Sequence, residues 1–252
     1  MGLIYAVANQ KGGVGKTTTT VNLAAALASM GQKTLVVDLD QQCNATVGLG
    51  LDRGARPSAY EVLSGGVTLT EAARPTGIDN LWIVPASRDL AGAAVELPGL
   101  ERPNLRLREQ LGQAAEVFDV VLMDCPPALG PVTVNALAAA DRVIVPVQAE
   151  YLALEGLAEF LATMSSVQRD LNPRLGLSGV VVTMHDERTR LAQDVERDLR
   201  EHFGDDVYRN VIPRTVRLAE APSYGIPVTD YAPASRGADA YVALANEVVT
   251  RG

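Results

Sequence analysis

The stretch Ala8-Asn9-Gln10-Lys11-Gly12-Gly13-Val14-Gly15-Lys16-Thr17-Thr18 constrains this chain more than any other. It follows a short apolar run, Leu3 to Ala8, and leads into an apolar-periodic segment, Thr19 to Met30. Strand, glycine loop and helix in that order make a cradle for an anion. Glycines at 12, 13 and 15 permit positive φ and let backbone N–H groups close around a phosphate. A helix starting near Thr17 adds the positive end of its dipole. At this spacing Lys16 reaches β- and γ-phosphates, and the Thr17 hydroxyl ligates Mg²⁺.

The loop departs from the ordinary nucleotide pattern. G-x-x-x-x-G-K-[ST] needs glycine where Gln10 stands, and Lys11 is an extra lysine. The chain has only three lysines, at 11, 16 and 33, and two of them flank this loop. Lys-Gly-Gly-Val-Gly-Lys-Thr-Thr resembles the variant phosphate loop of the ParA/MinD group of ATPases. The resemblance implies that Lys11, Gly12, Gly13, Val14, Gly15, Lys16, Thr17 and Thr18 hold ATP. It also implies that Lys11 crosses a dimer interface to the phosphates of the partner's ATP.

The 252 residues suffice for one large α/β domain or two small ones. Hydrophobic content of 47% supports a sizeable core, and 4% aromatic makes that core aliphatic. Nothing reads as a secretory signal, since Met1 to Gly13 runs straight into the phosphate loop. No apolar run approaches the ~20 residues that span a bilayer. Two cysteines, Cys43 and Cys125, fit a reducing cytoplasm rather than a disulfide framework. A net charge of −8 argues against general stickiness to nucleic acid, so any DNA contact requires a local arginine patch.

Gln32 to Asp40 reads as a buried strand ending in two carboxylates, Asp38 and Asp40, at the sheet edge where ligands of open α/β folds bind. The following Gln41-Gln42-Cys43-Asn44-Ala45-Thr46 resembles the family's first switch, D-x-D-P-Q-x-N, with Gln41 in place of proline and Cys43 where glycine is common. These departures lead us to expect a somewhat looser switch. By resemblance, Asp40 orients or deprotonates the attacking water and Asp38 holds the Mg²⁺ shell. Phe118 to Asp124 is a second apolar strand ending in a carboxylate, the pattern that supplies an outer-sphere Mg²⁺ ligand downstream of a phosphate loop. Cys125-Pro126-Pro127 after it resembles the second switch. The metal set expected is therefore Thr17, Asp38 and Asp124.

The remaining elements follow from period and punctuation. Ser58 to Leu63 reads as a short helix capped by Ser58, Asn80 to Pro85 as a strand, and Ser87 to Leu97 as a helix. We expect residues 50–99 to elaborate a crossover rather than form a domain of their own. Helices are expected over Asn104–Glu116, Pro131–Ala140, Glu150–Leu171 and Pro233–Val249. Strands are expected over Arg142–Val147, Gly176–Thr183 and Val207–Ile212. The alternation predicts an α/β fold, a single doubly wound and mainly parallel β-sheet flanked by helices, with residues 1–252 as one ATPase domain.

Between Thr183 and Pro222 the chain resembles chromosome-type ParA proteins. The resemblance implies an adenine wall around Pro213, Arg214 and Pro222. It also places DNA-contacting arginines at Arg188 and Arg217, with Arg190 and Arg214 nearby. From Asp186 to Arg217, however, eight acidic residues offset seven arginines. An ordinary solvated helix face fits that composition too, and only spatial sorting of the arginines makes a patch. His185 and His202 are isolated, so neither is expected to bind metal.

Taken together, the motifs resemble a small Soj-type ParA ATPase, without the N-terminal DNA-reading domain of larger relatives or the membrane tail of MinD. The resemblance implies a slow ATPase using ATP and Mg²⁺, with Lys11, Lys16 and Asp40 as catalytic residues. It implies an ATP-sandwich homodimer on non-specific double-stranded DNA, a ParB-type partner that stimulates hydrolysis, and a cytoplasmic, nucleoid-associated location in a bacterium or archaeon. A MinD-like membrane ATPase, a metabolic ligase of the same fold and an iron–sulfur relative are the rivals.

Overall fold

A computed structural model describes residues 2–251. Met1 and Gly252, the outer bounds of the expected domain, lie outside the described residues. Strand β1 (Leu3–Val7) runs through the glycine loop into helix α1 (Lys16–Ser29), and β2 (Thr34–Asp38) into the short α2 (Asn44–Gly48). Residues 50–99 contribute α3 (Ala59–Ser64), α4 (Leu69–Ala72), β3 (Arg74–Pro75), β4 (Leu81–Val84) and α5 (Leu90–Glu96). Then come α6 (Arg106–Ala114), β5 (Val120–Asp124), α7 (Pro131–Ala139), β6 (Arg142–Gln148), α8 (Ala153–Asp170) and β7 (Gly176–Thr183). The chain closes with α9 (Arg190–Phe203), α10 (Val216–Glu220), α11 (Val228–Tyr231) and α12 (Arg236–Arg251).

The seven strands form one sheet in the order β3-β4-β2-β5-β1-β6-β7. Every pairing is parallel except the two-residue β3–β4 edge. Because the strands are covered on both faces, successive residues serve different cores. Ile4, Ala6, Leu35, Val37, Val121 and Met123 pack toward Leu111, Leu137, Phe160 and Leu199 on α6 to α9. Tyr5, Val7, Val36 and Leu122 pack toward Leu23 and Leu27 of α1 and Tyr241 and Leu244 of α12. This is the doubly wound arrangement, and its switch point lies at β1, where the glycine loop emerges.

Residues 50–99 join this sheet, since β4 pairs with β2 from Thr34↔Leu81 to Val37↔Val84. Ser58 caps α3 as expected, in a reciprocal capping box with Glu61. The short α2, α4 and β3 leave too little periodicity to be read in advance.

One expected strand is absent. Val207–Ile212 runs beside β7 but meets this part of the fold only through isolated bridges, Val180↔Val207 and His185↔Pro213. Tyr208 and Ile212 donate their amides to Val180 and Val182. Between them, the amides of Arg209 and Asn210 turn instead to the Glu247 carboxylate of α12, at 2.8 and 3.3 Å. A side chain from a neighbouring helix takes the place of a strand partner, so no ladder forms. Among the described residues no helix is long and apolar enough to cross a membrane.

Candidate functional site

The loop after β1 is shaped by its glycines. Gly13 and Gly15 hold φ of 75° and 87°, and a Cβ on Gly12 or Gly13 would meet nothing within 4 Å. The loop is therefore an open cradle with its backbone exposed, closed behind by side chains from elsewhere. Thr183 Oγ1, at the end of β7, donates to Val14 O at 2.7 Å. Asn9 donates to Pro146 O at 2.8 Å and accepts the Lys11 amide at 3.0 Å. Gly15 precedes the first turn of α1, whose unpaired N–H groups face the same space.

Lys16 is buried, 7% exposed, and its Nζ donates to Lys11 O at 3.1 Å. Burial pushes its pKa down, while Asp124, Cys125 and Asp40 pull it back up. Lys11 points away from the cradle, and its Nζ rests 3.2 Å from Glu150 Oε2 of the same chain. Both side chains are more than a third exposed, at 37% and 48%, so this is a surface pair that exchanges readily.

The carboxylates expected to hold metal come together. Asp38 and Asp124 are register partners on β2 and β5, and both are fully buried. Asp38 Oδ2 accepts from the Thr46 amide and hydroxyl at 2.8 and 2.7 Å, and its Oδ1 accepts the Asp40 amide at 3.1 Å. Asp124 Oδ1 accepts from Thr20 at 3.2 Å, and Thr17 lies beside it. Asp124 Oδ2 is buried with no protein partner among the described residues. Desolvation first, then the Asp38 charge, pushes the Asp124 pKa strongly upward, and burial raises that of Asp38. Two buried carboxylates and one unpartnered oxygen form a donor set with the chemistry of a cation site. No cluster of three His, Cys, Asp or Glu side chains occurs among the described residues. The set therefore fits Mg²⁺, which takes few protein oxygens and keeps most of its water.

Asp40 sits just outside this pair, 9% exposed, with Oδ1 accepting the Gln42 amide at 2.9 Å. With Gln41, Gln42, Pro126 and Pro127 it lines a cavity of about 250 Å³ between the two expected switches. Cys43 adopts φ 56°, in the left-handed region where glycine is unstrained, and its side chain is buried in the core. The position thus has a backbone reason for glycine, and here packing of the thiol holds the turn instead.

Pro213 and Arg214 line a cavity of about 270 Å³ with Gly15, Thr18, Met184 and Tyr241. Pro222 lies apart from them, in a neighbouring cavity of about 410 Å³ with Thr17, Asn44 and Arg53. The three residues thus form two walls around Thr18, not one.

The arginines divide. On α9, Arg197 pairs with Asp194 and Glu201, and Arg200 with Glu196, which is a solvated helix face. Arg190 is exposed at the start of that helix. Arg188 and Arg214 come together instead, because His185 N donates to Ile212 O and Arg214 N donates to His185 O. Arg217 lies two residues beyond α10's cap, Thr215. Sequence reasoning placed Thr46 and Thr183 within motifs but gave them, like Thr20 and Glu150, no role, since they are ordinary polar residues until the fold aims them.

Comparison with known proteins agrees with this geometry. The family model described as "AAA domain" matches residues 2–177. The chain is 55% identical to the chromosome-partitioning ATPase Soj of Thermus thermophilus, over 98% of this chain and 95% of that protein. It is 48% identical to the chromosome partitioning protein ParA of Caulobacter vibrioides, over 98% and 94%. A solved structure described as cobyrinic acid a,c-diamide synthase from Mycobacterium smegmatis, with bound ADP and magnesium, superposes with a TM-score of 0.86 at 40% identity, covering 98% and 93%. Identity at this level over nearly full length decides kinship, and the chain belongs to the Soj/ParA family of chromosome-partitioning ATPases.

Proposed function

We propose that this chain, acting as a single domain, is a slow DNA-segregation ATPase. Its ATP-bound homodimer holds DNA without sequence preference and lets go after hydrolysis stimulated by a ParB-type partner on the nucleoid. The observation that carries the reading is the orphaned Asp124 Oδ2 beside Asp38, directly under a phosphate cradle containing Lys16. Thr17, Asp38 and Asp124 would hold Mg²⁺, which when bound neutralises charge on the phosphates. The loop backbone from Gly12 to Thr18 would cradle the phosphates, with Lys16 bound to them through its ammonium. The base would lie in the Pro213–Arg214 cavity, whose walls are mostly apolar. Asp40 has Oδ1 engaged by Gln42 and Oδ2 left for water, so it orients the nucleophile and accepts its proton. Lys11 would leave Glu150 and reach the partner's phosphates, making hydrolysis conditional on dimerisation.

The deciding experiment measures DNA retention at stated salt with ATP, ADP and no nucleotide. Retention with ATP alone, lost when Arg188 and Arg217 are both changed to Glu, supports the reading. Retention that is equal in all three states overturns it.

The likeness to a structure described as a diamide synthase favours a second reading, ATP-dependent amidation of a carboxylate. Glutamine-fed amidation needs an accessible thiol. Cys43 and Cys125 are both buried, and burial raises both thiol pKa values. ATP turnover that responds to a corrinoid acid and ammonia, and ignores DNA, would select it.

A further inference from the structure

The loop after β7, helix α10 and the start of α12 form one continuous surface. His185 and Arg214 tie the loop to the segment preceding α10 through backbone hydrogen bonds. Leu218 of α10 packs on Gly237 of α12, where a Cβ would come within 3.0 Å of Leu218 Cγ. Arg236, at the start of α12, reaches back to the loop and places Nη2 2.6 Å from Glu187 Oε1. Arg188, Arg214 and Arg236 therefore gather around Asp186 and Glu187, and Arg217 follows three residues after Arg214 on the adjoining α10.

Three of the four are held by carboxylates of the same face. Asp186 grips Arg188 with two contacts, Nε to Oδ1 at 2.9 Å and Nη2 to Oδ2 at 2.8 Å. Glu220 accepts from Arg217 at 2.9 Å and from the Tyr231 hydroxyl at 3.2 Å. Glu187 holds Arg236. The charge of Arg214 also acts on Asp186, whose carboxyl is held well below the usual range by Arg188 first and Arg214 last. The guanidinium groups are also open to solvent, with Arg188 88%, Arg217 58% and Arg236 70% exposed.

We infer that this face is a phosphate-backbone surface that its own carboxylates keep closed: DNA phosphates must displace Asp186, Glu187 and Glu220 from Arg188, Arg236 and Arg217. The inference rests on the DNA-binding reading above and adds two things to it, a further contact residue, Arg236, and a set of intramolecular competitors. The chemistry is symmetrical. A guanidinium fork takes a carboxylate and a phosphate in the same two-point geometry, so one is exchanged for the other without rebuilding the arginine. Exposed pairs of this kind are weak, so they open at little cost when phosphates arrive. A single copy gains little from such an exchange, whereas two copies engaging one duplex gain through effective concentration. The closed pairs weaken each copy's grip, so a lone chain falls below the threshold of retention and only two linked copies hold the duplex, which ties retention to ATP.

The test is a set of double-mutant cycles on DNA retention with ATP, at a salt low enough for every variant to bind. Asp186→Asn, Glu187→Gln and Glu220→Gln should each tighten binding by about two- to fivefold. Each gain should disappear when its arginine is absent, in the Arg188→Ala, Arg236→Ala and Arg217→Ala backgrounds respectively. Arg236→Ala alone should weaken retention about as much as Arg188→Ala. A gain that survives loss of the arginine means that the carboxylates act only by general repulsion, and overturns the inference. No gain at all, or unchanged retention in Arg236→Ala, overturns it as well. A wild-type protein that shows no ATP-dependent retention instead overturns the DNA-binding reading itself, and that outcome is visible before any variant is made.

Discussion

Asp38 and Asp124 stand opposite each other at the carboxyl ends of two adjacent parallel strands, buried, with one oxygen of Asp124 unpartnered among the described residues. Two carboxylates in that position repel each other and lose their hydration, so the nucleotide-free fold carries an electrostatic cost that a cation would relieve.

The cost should be visible in stability. A carboxyl whose folded-state pKa lies above its unfolded value, about 4, binds more protons in the folded chain. Its ionisation then weakens the fold as pH rises from about 4 through neutrality. Asp124→Asn removes the most strongly raised of these groups. The nucleotide-free variant should melt above the wild type at pH 8, with the difference shrinking toward pH 5, and should lose the thermal shift on adding Mg²⁺ and ATP. A lower melting temperature at pH 8 would show that the pair is stabilised by something other than a cation.

Thr46 holds this site from behind. It gives Asp38 two hydrogen bonds while its hydroxyl accepts the Ala86 amide at 2.9 Å, linking β2 to the chain after β4. Thr46→Val keeps the shape and removes the hydroxyl, leaving the Ala86 amide and an Asp38 lone pair buried and unpaired. The expected loss is about 1–3 kcal/mol in urea unfolding. A loss within error of zero would mean that water replaces the hydroxyl.

Asp40 lies clear of the metal pair, so binding and chemistry should separate. Asp40→Ala is expected to retain ATP and to dimerise, with hydrolysis reduced about 10²- to 10⁴-fold. Nucleotide affinity by calorimetry, dimerisation by sedimentation and phosphate release decide this together, and undiminished turnover removes Asp40 from the mechanism.

Lys11 should behave differently from Lys16. Lys16→Ala is expected to lose nucleotide, because a buried ammonium under the cradle disappears. Lys11→Ala should still bind ATP but sediment as a monomer, since its side chain faces Glu150 on the surface and not its own cradle. A Lys11→Ala protein that forms the ATP dimer and hydrolyses normally would leave the in-trans role without support.

Much of this site was legible in the linear chain because its chemistry is local. The glycine spacing, Lys16, Thr17 and the carboxylates closing two apolar strands all lie within short stretches whose backbone is set by neighbouring residues. The phosphate loop needs only positive φ at Gly13 and Gly15 and a helix behind them. Asp38 and Asp124 need only to end buried strands.

Long-range contacts decided the rest. The expected strand at Val207–Ile212 failed because Glu247, 37 residues away from Asn210, satisfies amides that a partner strand would have taken. The arginines could not be sorted by order, since residues on α9 and on the neighbouring loop have the same composition and differ only in which carboxylates face them. Arg236 joins the loop at Glu187, 49 residues away, through α12 packing on α10, a contact with no sequence signature. Local pattern therefore determined which anion this chain can hold. Which charges stand side by side was settled only when the helices packed, because pairing between side chains depends on distance in space, and that distance is set by burial of apolar faces far apart in the chain.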